Sequence, residues 1–216
     1  LSNNYIFYDL YPDNDEIIKM DYLNLEFNNL VENYDNIHII GNPPFGRQSS
    51  LAKKFIKKSC IFCDSLSFIL PKSFKKESFK KTFPLKYHLI FQIDLPKNSF
   101  RVNNKDHDVP CVFQIWKRKN IDRKVPKILK PNGYIFVKKH QDHDISFRRV
   151  GVYAGEIYKD TEDKSFQSHY FIKFNNDNIL SKNLKKLKNI KFNFDNTVGP
   201  KSISKQELIS EFNRVL

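Results

Sequence analysis

Four consecutive residues, Asn42-Pro43-Pro44-Phe45, follow an apolar run that ends at Gly41. An Asn side-chain oxygen and the carbonyl of the next residue can accept the two hydrogens of a planar amino group. Such an amine is a poor nucleophile because its lone pair is delocalised, and two acceptors draw that pair back onto nitrogen. Consecutive prolines fix φ and remove competing N–H donors, so the acceptors are held in place. The quartet predicts a site for methylating a planar amine, with Phe45 stacking on an extruded base. A rigid Pro-Pro turn that ends a core strand is the alternative.

Two acidic residues follow shorter apolar runs upstream of the quartet. Asp9 comes directly after Tyr5–Tyr8, for which we predict a buried strand, and Asp21 follows Ile17–Met20. Ligands of parallel sheets bind outside the carboxyl ends of the strands, where an acid after the second strand suits ribose hydroxyls. We predict that role for Asp9. Ordinary turn or helix-cap acids are the alternative at both positions.

The quartet and the two acids together resemble the class I S-adenosylmethionine-dependent amino-methyltransferases, which make N6-methyladenine or N4-methylcytosine. The resemblance covers roughly residues 5–117 and implies an α/β, Rossmann-like sheet that is mostly parallel with an antiparallel terminal hairpin. It implies S-adenosylmethionine as the cofactor and no metal. In the family an acid after the third strand meets the cofactor's adenine amino group. Asp21 is similar to that acid, with Tyr22 or Leu10 beside the adenine ring, and Asn42 belongs to both the catalytic and the cofactor-binding set.

One element of the family pattern, the glycine-rich cofactor loop that should precede Asp9, is not found there. Only eight residues come before Asp9, and none of them is glycine. The simplest expectation is that the first strand and its loop lie outside this segment, and the alternative is a chain that has lost cofactor binding. A third possibility is a permuted order in which residues 150–155 supply the loop, but that stretch lacks a following helix pattern.

Beyond the quartet, the sequence predicts the alternating elements of a doubly wound unit. Ser49-Ser50 can cap a helix that runs to about residue 60, with an apolar face and a lysine face. Leu66–Leu70 is predicted to be a buried strand. Residues 89–93 and 111–116 are linked without a helical pattern, so we predict that these two strands pair antiparallel.

The composition changes near residue 118, where a basic run leads into a stretch punctuated by proline and glycine. We therefore predict a methyltransferase domain over residues 1–119, incomplete at its N-terminus, and a small α+β appendage over residues 120–216 for substrate recognition. Extra strands packed on the catalytic sheet are the alternative. Within the appendage we predict strands over 134–138, 145–153 and 169–174, a helix near 179–187, and a last helix behind a Ser204-x-x-Glu207 capping box.

Basic and aromatic residues supply candidate nucleic-acid contacts. Arg47 directly follows the quartet and is a candidate for a phosphate. Phe100 and Arg101 lie in the loop of the terminal hairpin, where a plain hairpin loop is the alternative, and Arg148 and Arg149 are candidates in the appendage. Lys and Arg total 37 against 24 Asp and Glu, a net charge of +13 that suits a polyanion. Solvated surface lysine in a chain rich in Asn, Lys and Ile is the alternative.

Three cysteines, Cys60, Cys63 and Cys111, lie in apolar or helical stretches, and no second pair stands at zinc-site spacing. We predict buried free thiols and a cytoplasmic or other intracellular reducing compartment. The polar group over residues 140–144 is interpreted as a solvated loop rather than a metal site. No apolar run approaches the length of a membrane span, and we expect no membrane association.

The leading prediction is a methyltransferase acting on N6 of adenine in DNA, with DNA preferred over RNA as the partner. In the predicted mechanism the base is extruded, Asn42 and the Pro43 carbonyl hold its amine, and the amine attacks the sulfonium methyl in line. Two alternatives remain. One is a protein methyltransferase acting on a glutamine side-chain amide, which the net charge of +13 disfavours. The other is a catalytically inactive nucleic-acid-binding partner with the same fold.

Overall fold

The chain divides after Lys124 into two compact units, which we call unit 1 and unit 2. The computed structural model describes residues 5–216, except for the side chains of residues 177 and 178. The fold is mixed α/β, and its strands form several small sheets that mix parallel and antiparallel pairing. The predicted single Rossmann-like sheet is thus not seen as one hydrogen-bonded sheet. Among the described residues, no helix is long and apolar enough to cross a membrane.

Unit 1 contains strands β1 to β8 and helices α1 to α3. The strands are β1 (Phe7–Asp9), β2 (Ile17–Lys19), β3 (His38–Gly41), β4 (Ser65–Pro71), β5 (Tyr87–Asp94), β6 (Phe100–Val102), β7 (Lys105–His107) and β8 (Cys111–Arg118). The helices are α1 (Asn28–Asn33), α2 (Ser50–Phe62) and α3 (Glu77–Lys80), and short 3-10 turns occupy Tyr22–Asn24, Arg47–Ser49 and Lys72–Lys75.

The described strands of unit 1, within residues 5–124, form three sheets. The strand β1 pairs in parallel with β2, and a four-stranded sheet has the order β3-β4-β8-β5. In the larger sheet β3 and β4 are parallel, whereas β8 is antiparallel to both β4 and β5. The predicted strands before the quartet and at Leu66–Leu70 are confirmed, as is the antiparallel pairing of the two strands that follow.

A two-stranded hairpin, β6–β7, occupies the segment that was predicted to be the loop of the terminal hairpin. Asn103 and Asn104 form its turn, with φ of 50° and 61°. Two consecutive left-handed residues give a turn whose twist matches that of paired strands, and Asn tolerates this conformation well. The hairpin therefore follows from the local turn chemistry of these two asparagines.

The four-stranded sheet is covered on one face and open on the other. On the covered face, Leu66, Phe68 and Trp116 are buried together with Ala52 and Ile56 of α2. Their neighbours along the strands point the other way, because side chains alternate across a sheet. On that open face Ile40, Phe91 and Ile93 are 78%, 47% and 53% exposed. Strands of a doubly wound sheet are normally covered on both faces.

The strand predicted as buried over Tyr5–Tyr8 is shorter and more exposed than expected. It begins at Phe7 and includes Asp9, and both Tyr5 and Phe7 are exposed, whereas Tyr8 packs against the core. The prediction of a buried strand was wrong because, among the described strands, β1 has a neighbour on one edge only. Parallel strands become buried when they are flanked and covered on both sides.

Unit 2 is an antiparallel sheet with two helices. Its elements are β9 (Tyr134–Val137), β10 (Ile145–Arg148), β11 (Ile157–Tyr158), β12 (His169–Phe174), α4 (Asp177–Lys188) and α5 (Lys205–Val215). The strand order is β11-β10-β12-β9. The core holds, among others, Ile145, Phe147, Ile172, Leu208 and Phe212.

Most of the strands and helices predicted for unit 2 are confirmed. The Glu207 N–H donates to Ser204 Oγ at 3.3 Å and the Ser204 N–H donates to Glu207 Oε2 at 2.7 Å, which is the predicted capping box. The strand predicted over residues 145–153 ends at Arg148. It stops there because Gly151 and Gly155, with φ of 100° and 105°, turn the chain back into β11.

The three cysteines are free and buried, as predicted. Burial raises the pKa of the Cys63 and Cys111 thiols to about 11, and burial also raises the pKa of Cys60. These thiols are therefore neutral packing groups in the folded chain. Such thiols are poor nucleophiles, because the thiolate is the reactive form.

We expect the stability of the chain to fall above about pH 9 because of these thiols. The Cys63 and Cys111 thiols ionise near pH 9 in the unfolded chain but stay neutral to about pH 11 in the folded chain. Between these two pH values only the unfolded state loses the protons, so the unfolded state is favoured as the pH rises. The contribution of each thiol to stability is fully present below the unfolded pKa and is lost as the pH rises toward the folded one. Urea unfolding between about pH 7 and about pH 10.5 measures this, and Cys63→Ser, which removes one of the three thiols, should make the decline less steep. An unfolding free energy that does not change over this range would contradict the expectation.

Candidate active site

The quartet lies at the carboxyl end of β3, immediately after Gly41. Pro43 is buried and Phe45 is half-buried against the core of unit 1, whereas Asn42 is exposed. Within residues 5–216, no group hydrogen-bonds the Asn42 side-chain amide. The buried proline thus anchors the backbone while the neighbouring amide is presented to solvent. This arrangement leaves the Asn42 side-chain oxygen available as an acceptor.

The backbone after the quartet ties it to the first turn of α2. The N–H groups of Leu51 and Ala52 both donate to the Phe45 carbonyl, at 3.1 and 3.3 Å. The predicted side-chain cap at Ser49 was wrong, because Ser49 adopts a left-handed conformation (φ 59°) and makes no capping hydrogen bond. The Phe45 carbonyl takes over the capping role, so a shift of the quartet would also disturb α2.

Gly46 occupies a backbone position that only glycine fills without strain. Its φ is 67°, and a Cβ there would lie 2.9 Å from both Leu51 Cγ and Ser50 Oγ. Gln48 and Ser49 follow with φ of 53° and 59°, so left-handed residues cluster directly after the quartet. Residues in such conformations cost about 1–3 kcal/mol and concentrate at functional sites.

The two predicted acids lie at one edge of the β1–β2 sheet. Asp9 ends β1 opposite Lys19, and Asp21 comes shortly after β2, so both follow the carboxyl ends of parallel strands. The Tyr11 N–H donates to Asp9 Oδ1 at 2.8 Å. The Leu23 N–H donates to Asp21 Oδ1 at 2.9 Å, which caps the 3-10 turn. Both carboxylates therefore make local turn or cap contacts, and both remain exposed.

Of the two residues predicted beside the adenine ring, Tyr22 packs inside the unit. Its hydroxyl is 2.7 Å from Ser59 Oγ, and its ring stacks on Phe55 with a centroid distance of 5.0 Å. Burial raises the pKa of the Tyr22 phenol, which is therefore neutral. Leu10 is exposed and is the residue left free to contact a ligand.

The hairpin β6–β7 carries Phe100 and Arg101 and emerges at the same sheet edge as the quartet. Pro71, at the end of β4, pairs with the first residue of β8, and the last residue of β5 pairs with the second. Because β3 and β4 are parallel, this is also the edge where β3 ends. The Arg101 Nε lies 3.6 Å from Asp106 Oδ1 across the hairpin. Arg47 is exposed, and the described residues include no partner for its side chain.

Two lysines at this edge were missed by the sequence interpretation. The ammonium groups of Lys72 and Lys75 each lie 3.0 Å from the carboxylate of Asp94, the last residue of β5. Burial disfavours ionisation of Asp94, but hydrogen bonds from the two lysines outweigh it and hold the pKa of Asp94 below its ordinary value. The signal was present in Pro71-Lys72-Ser73, which directly follows a buried strand. The cluster adds positive charge beside the end of β4.

Arg148 and Arg149 have internal roles in unit 2. The Arg148 Nε donates to the Val150 carbonyl at 2.8 Å, and its Nη1 donates to Ser168 Oγ at 3.2 Å. The Arg149 Nη2 donates to the Gln167 carbonyl at 2.6 Å. These bonds hold the turn after β10 and the segment before β12. Both guanidinium groups are thus partly committed before any ligand binds.

Two further segments of unit 2 were considered as a cofactor loop and as a metal site, namely residues 150–155 and residues 140–144. Residues 150–155 connect the antiparallel strands β10 and β11, so they do not form the strand–loop–helix unit of a cofactor loop. In the polar group, His143 Nε2 lies 2.8 Å from Thr161 Oγ1, and Asp142 and Asp144 pair with Lys173. The described part of the chain contains no group of three or more His, Cys, Asp or Glu side chains that could hold a metal ion.

Comparison of the chain with protein-family models, with curated proteins and with solved structures gave no match.

Proposed function

We propose that unit 1 is the catalytic domain of an S-adenosylmethionine-dependent methyltransferase that acts on the exocyclic amine of a nucleic-acid base, with N6 of adenine in DNA as the leading substrate. The observation that carries this proposal is the exposed Asn42 side chain at the carboxyl end of β3, next to the buried Pro43. An acceptor held at a strand end, followed by a second carbonyl acceptor, suits a planar amine.

The strand order of unit 1 supports the proposal. A doubly wound sheet places its strands in the order 3-2-1-4-5, so the first strand lies between the second and the fourth. Without its first strand such a sheet consists of a 3-2 piece and a 4-5 piece. Unit 1 contains a parallel pair in the order β2-β1 and a second sheet that begins β3-β4, also parallel. The two pieces correspond if β1 is the second strand and β3 the fourth.

The exposed apolar side chains of unit 1 support the same correspondence. The strand β3 has one described neighbour, β4, and its Ile40 is 78% exposed. A central strand of a doubly wound sheet would be flanked on both edges and covered on both faces. We propose that the first strand and its glycine-rich loop are supplied by polypeptide outside residues 5–216.

The residues present fit both ligands of such an enzyme, the cofactor and the target base. Asp9 and Asp21 are exposed carboxylates at the ends of parallel strands, which suits the ribose hydroxyls and the adenine amino group of S-adenosylmethionine. When bound, that cofactor supplies an electrophilic methyl group on sulfur. Asn42 Oδ1 and the Pro43 carbonyl accept the two amine hydrogens, and Phe45 stacks on the extruded base. Arg47, which is exposed and follows the quartet closely, contacts a phosphate beside the base.

The test is transfer of tritiated methyl groups from S-adenosylmethionine to DNA, RNA and protein, using the full-length natural polypeptide that carries this chain. We expect label in DNA, and mass spectrometry of the digested product should identify N6-methyladenine. Label in glutamine amides of protein would replace the nucleic-acid substrate with the protein one. Label in none of the three pools, together with no binding of S-adenosylmethionine, would overturn the proposal in favour of an inactive partner.

A further inference from the structure

A cleft of about 320 Å³ lies within unit 2, bordered by β9, β12, the segment before β12 and the first residue of α5. We call it the β9–β12 cleft. The residues that line it include no Asp or Glu. Its lining includes four Phe and Tyr residues and three lysines, which are Phe136, Phe166, Tyr170, Phe171, Lys138, Lys139 and Lys205.

The positive charge of the β9–β12 cleft lies next to its rings. The Lys205 Nζ is 4.6 Å from the centroid of Phe136 and 5.8 Å from that of Tyr170. Within the described residues, no carboxylate pairs with the ammonium groups of Lys138 or Lys205. By contrast, Lys173 in the same sheet is paired with two aspartates. The cleft therefore keeps unneutralised cations, which attract an anionic ligand.

Phe166 offers an unoccupied aromatic face beside these cations. Its side chain is 71% exposed, and no other described ring packs against it. The segment that carries it is held by the bonds from Arg149 to Gln167 and from Arg148 to Ser168. An exposed ring on an anchored segment, in the same cleft as lysines that no described carboxylate neutralises, combines the two features that bind unpaired nucleotides. These are a stacking surface and a positively charged groove.

We propose that the β9–β12 cleft binds single-stranded DNA, with Phe166 stacking on a base and Lys205 and Lys138 contacting phosphates. The proposal rests on the proposed function, because both take nucleic acid as the ligand of this chain. The faces of paired bases in a duplex are covered by their neighbours. The cleft should therefore favour single strands over a duplex of the same length.

The test uses fluorescence anisotropy of a labelled oligo-dT of about ten nucleotides with the whole chain and no cofactor. We expect Phe166→Ala to weaken binding by about fivefold or more. Lys205→Ala should reduce the slope of log affinity against log salt concentration by about 0.7. Ile135→Ala, which removes another exposed side chain, and Lys182→Ala, on α4, are matched controls that should leave both quantities unchanged.

Phe166→Trp separates stacking from general charge attraction. We expect it to bind oligo-dT like the natural chain, and its added indole fluorescence should be quenched on binding. Equal binding by the natural chain and by Phe166→Ala, or no preference for oligo-dT over a duplex, would overturn the cleft proposal. The two proposals fail differently. Loss of the proposed function means no methyl transfer with normal oligo-dT binding, whereas loss of the cleft proposal means methyl transfer together with oligo-dT binding that Phe166→Ala does not alter.

Discussion

Replacing Asn42 with alanine is expected to reduce methyl transfer by about two to three orders of magnitude. The Asn42 side-chain oxygen acts on the amine most strongly as positive charge develops on nitrogen, so its loss falls on the transition state rather than on binding. Because the side chain is exposed and has no partner within residues 5–216, the variant should fold normally. Single-turnover transfer of tritiated methyl groups to DNA measures the rate, and anisotropy measures DNA binding, which should change little.

The matched control for this substitution is Asn36→Ala. Asn36 is also an exposed asparagine in unit 1, and it lies just before β3 rather than just after it. Its replacement should leave the rate of transfer unchanged. Transfer by Asn42→Ala at a rate near that of the natural chain would exclude the two-acceptor mechanism. A rate loss accompanied by an equal loss of DNA binding would assign Asn42 to ground-state binding instead.

The second large effect is expected on the stability of unit 1 when Arg123 is replaced. Arg123 anchors the end of this unit to residues 80–87. Its guanidinium lies 5.5 Å from the Trp116 ring, and its two Nη groups donate to four backbone carbonyls, those of Lys80, Phe83, Pro84 and Tyr87. We expect Arg123→Ala to lower the free energy of unfolding of unit 1 by about 2–4 kcal/mol, because four acceptors lose their donor at once. Urea unfolding followed by the fluorescence of Trp116 measures this.

Two further variants define what Arg123 contributes. Arg123→Lys keeps a positive charge but lacks the planar fork of donors, so it should recover only a small part of the loss. Arg47→Ala removes an exposed arginine with no described partner and should change the unfolding free energy by less than about 0.5 kcal/mol. If Arg123→Lys were as stable as the natural chain, charge rather than the fork geometry would explain the role of this residue.

The elements that the sequence predicted correctly are those set by local patterns. The apolar runs before the quartet and at Leu66–Leu70 became strands, and the Ser204–Glu207 box begins α5. The burial of β1 was predicted wrongly because it depends on neighbouring strands, which a local run does not specify. The contacts of Arg123, next to the end of unit 1, were not predictable in the same way, because its four carbonyl partners lie far away in the sequence.

In the candidate site, too, the features set by local sequence were predictable and those set by tertiary packing were not. The position of Asn42 at a strand end, and of Asp9 and Asp21 after parallel strands, followed from runs of apolar residues that stop at polar ones. The packing of Tyr22 against Phe55 was not predictable, since it requires knowing which face of α2 meets the turn after β2. The β9–β12 cleft was also beyond the sequence, because it joins β9, β12 and the start of α5.

The helix α2 connects the two sides of the proposed site. Its first turn donates to the Phe45 carbonyl on the base side, and Phe55 and Ser59, within the same helix, contact Tyr22 beside Asp21 on the cofactor side. A rigid element that both ligands position is the physical basis for thermodynamic linkage between them. If a cofactor held by Asp21 fixes the neighbouring Tyr22, and through it α2, the affinity for the extruded base should rise by some factor. The base must then increase the affinity for the cofactor by that same factor.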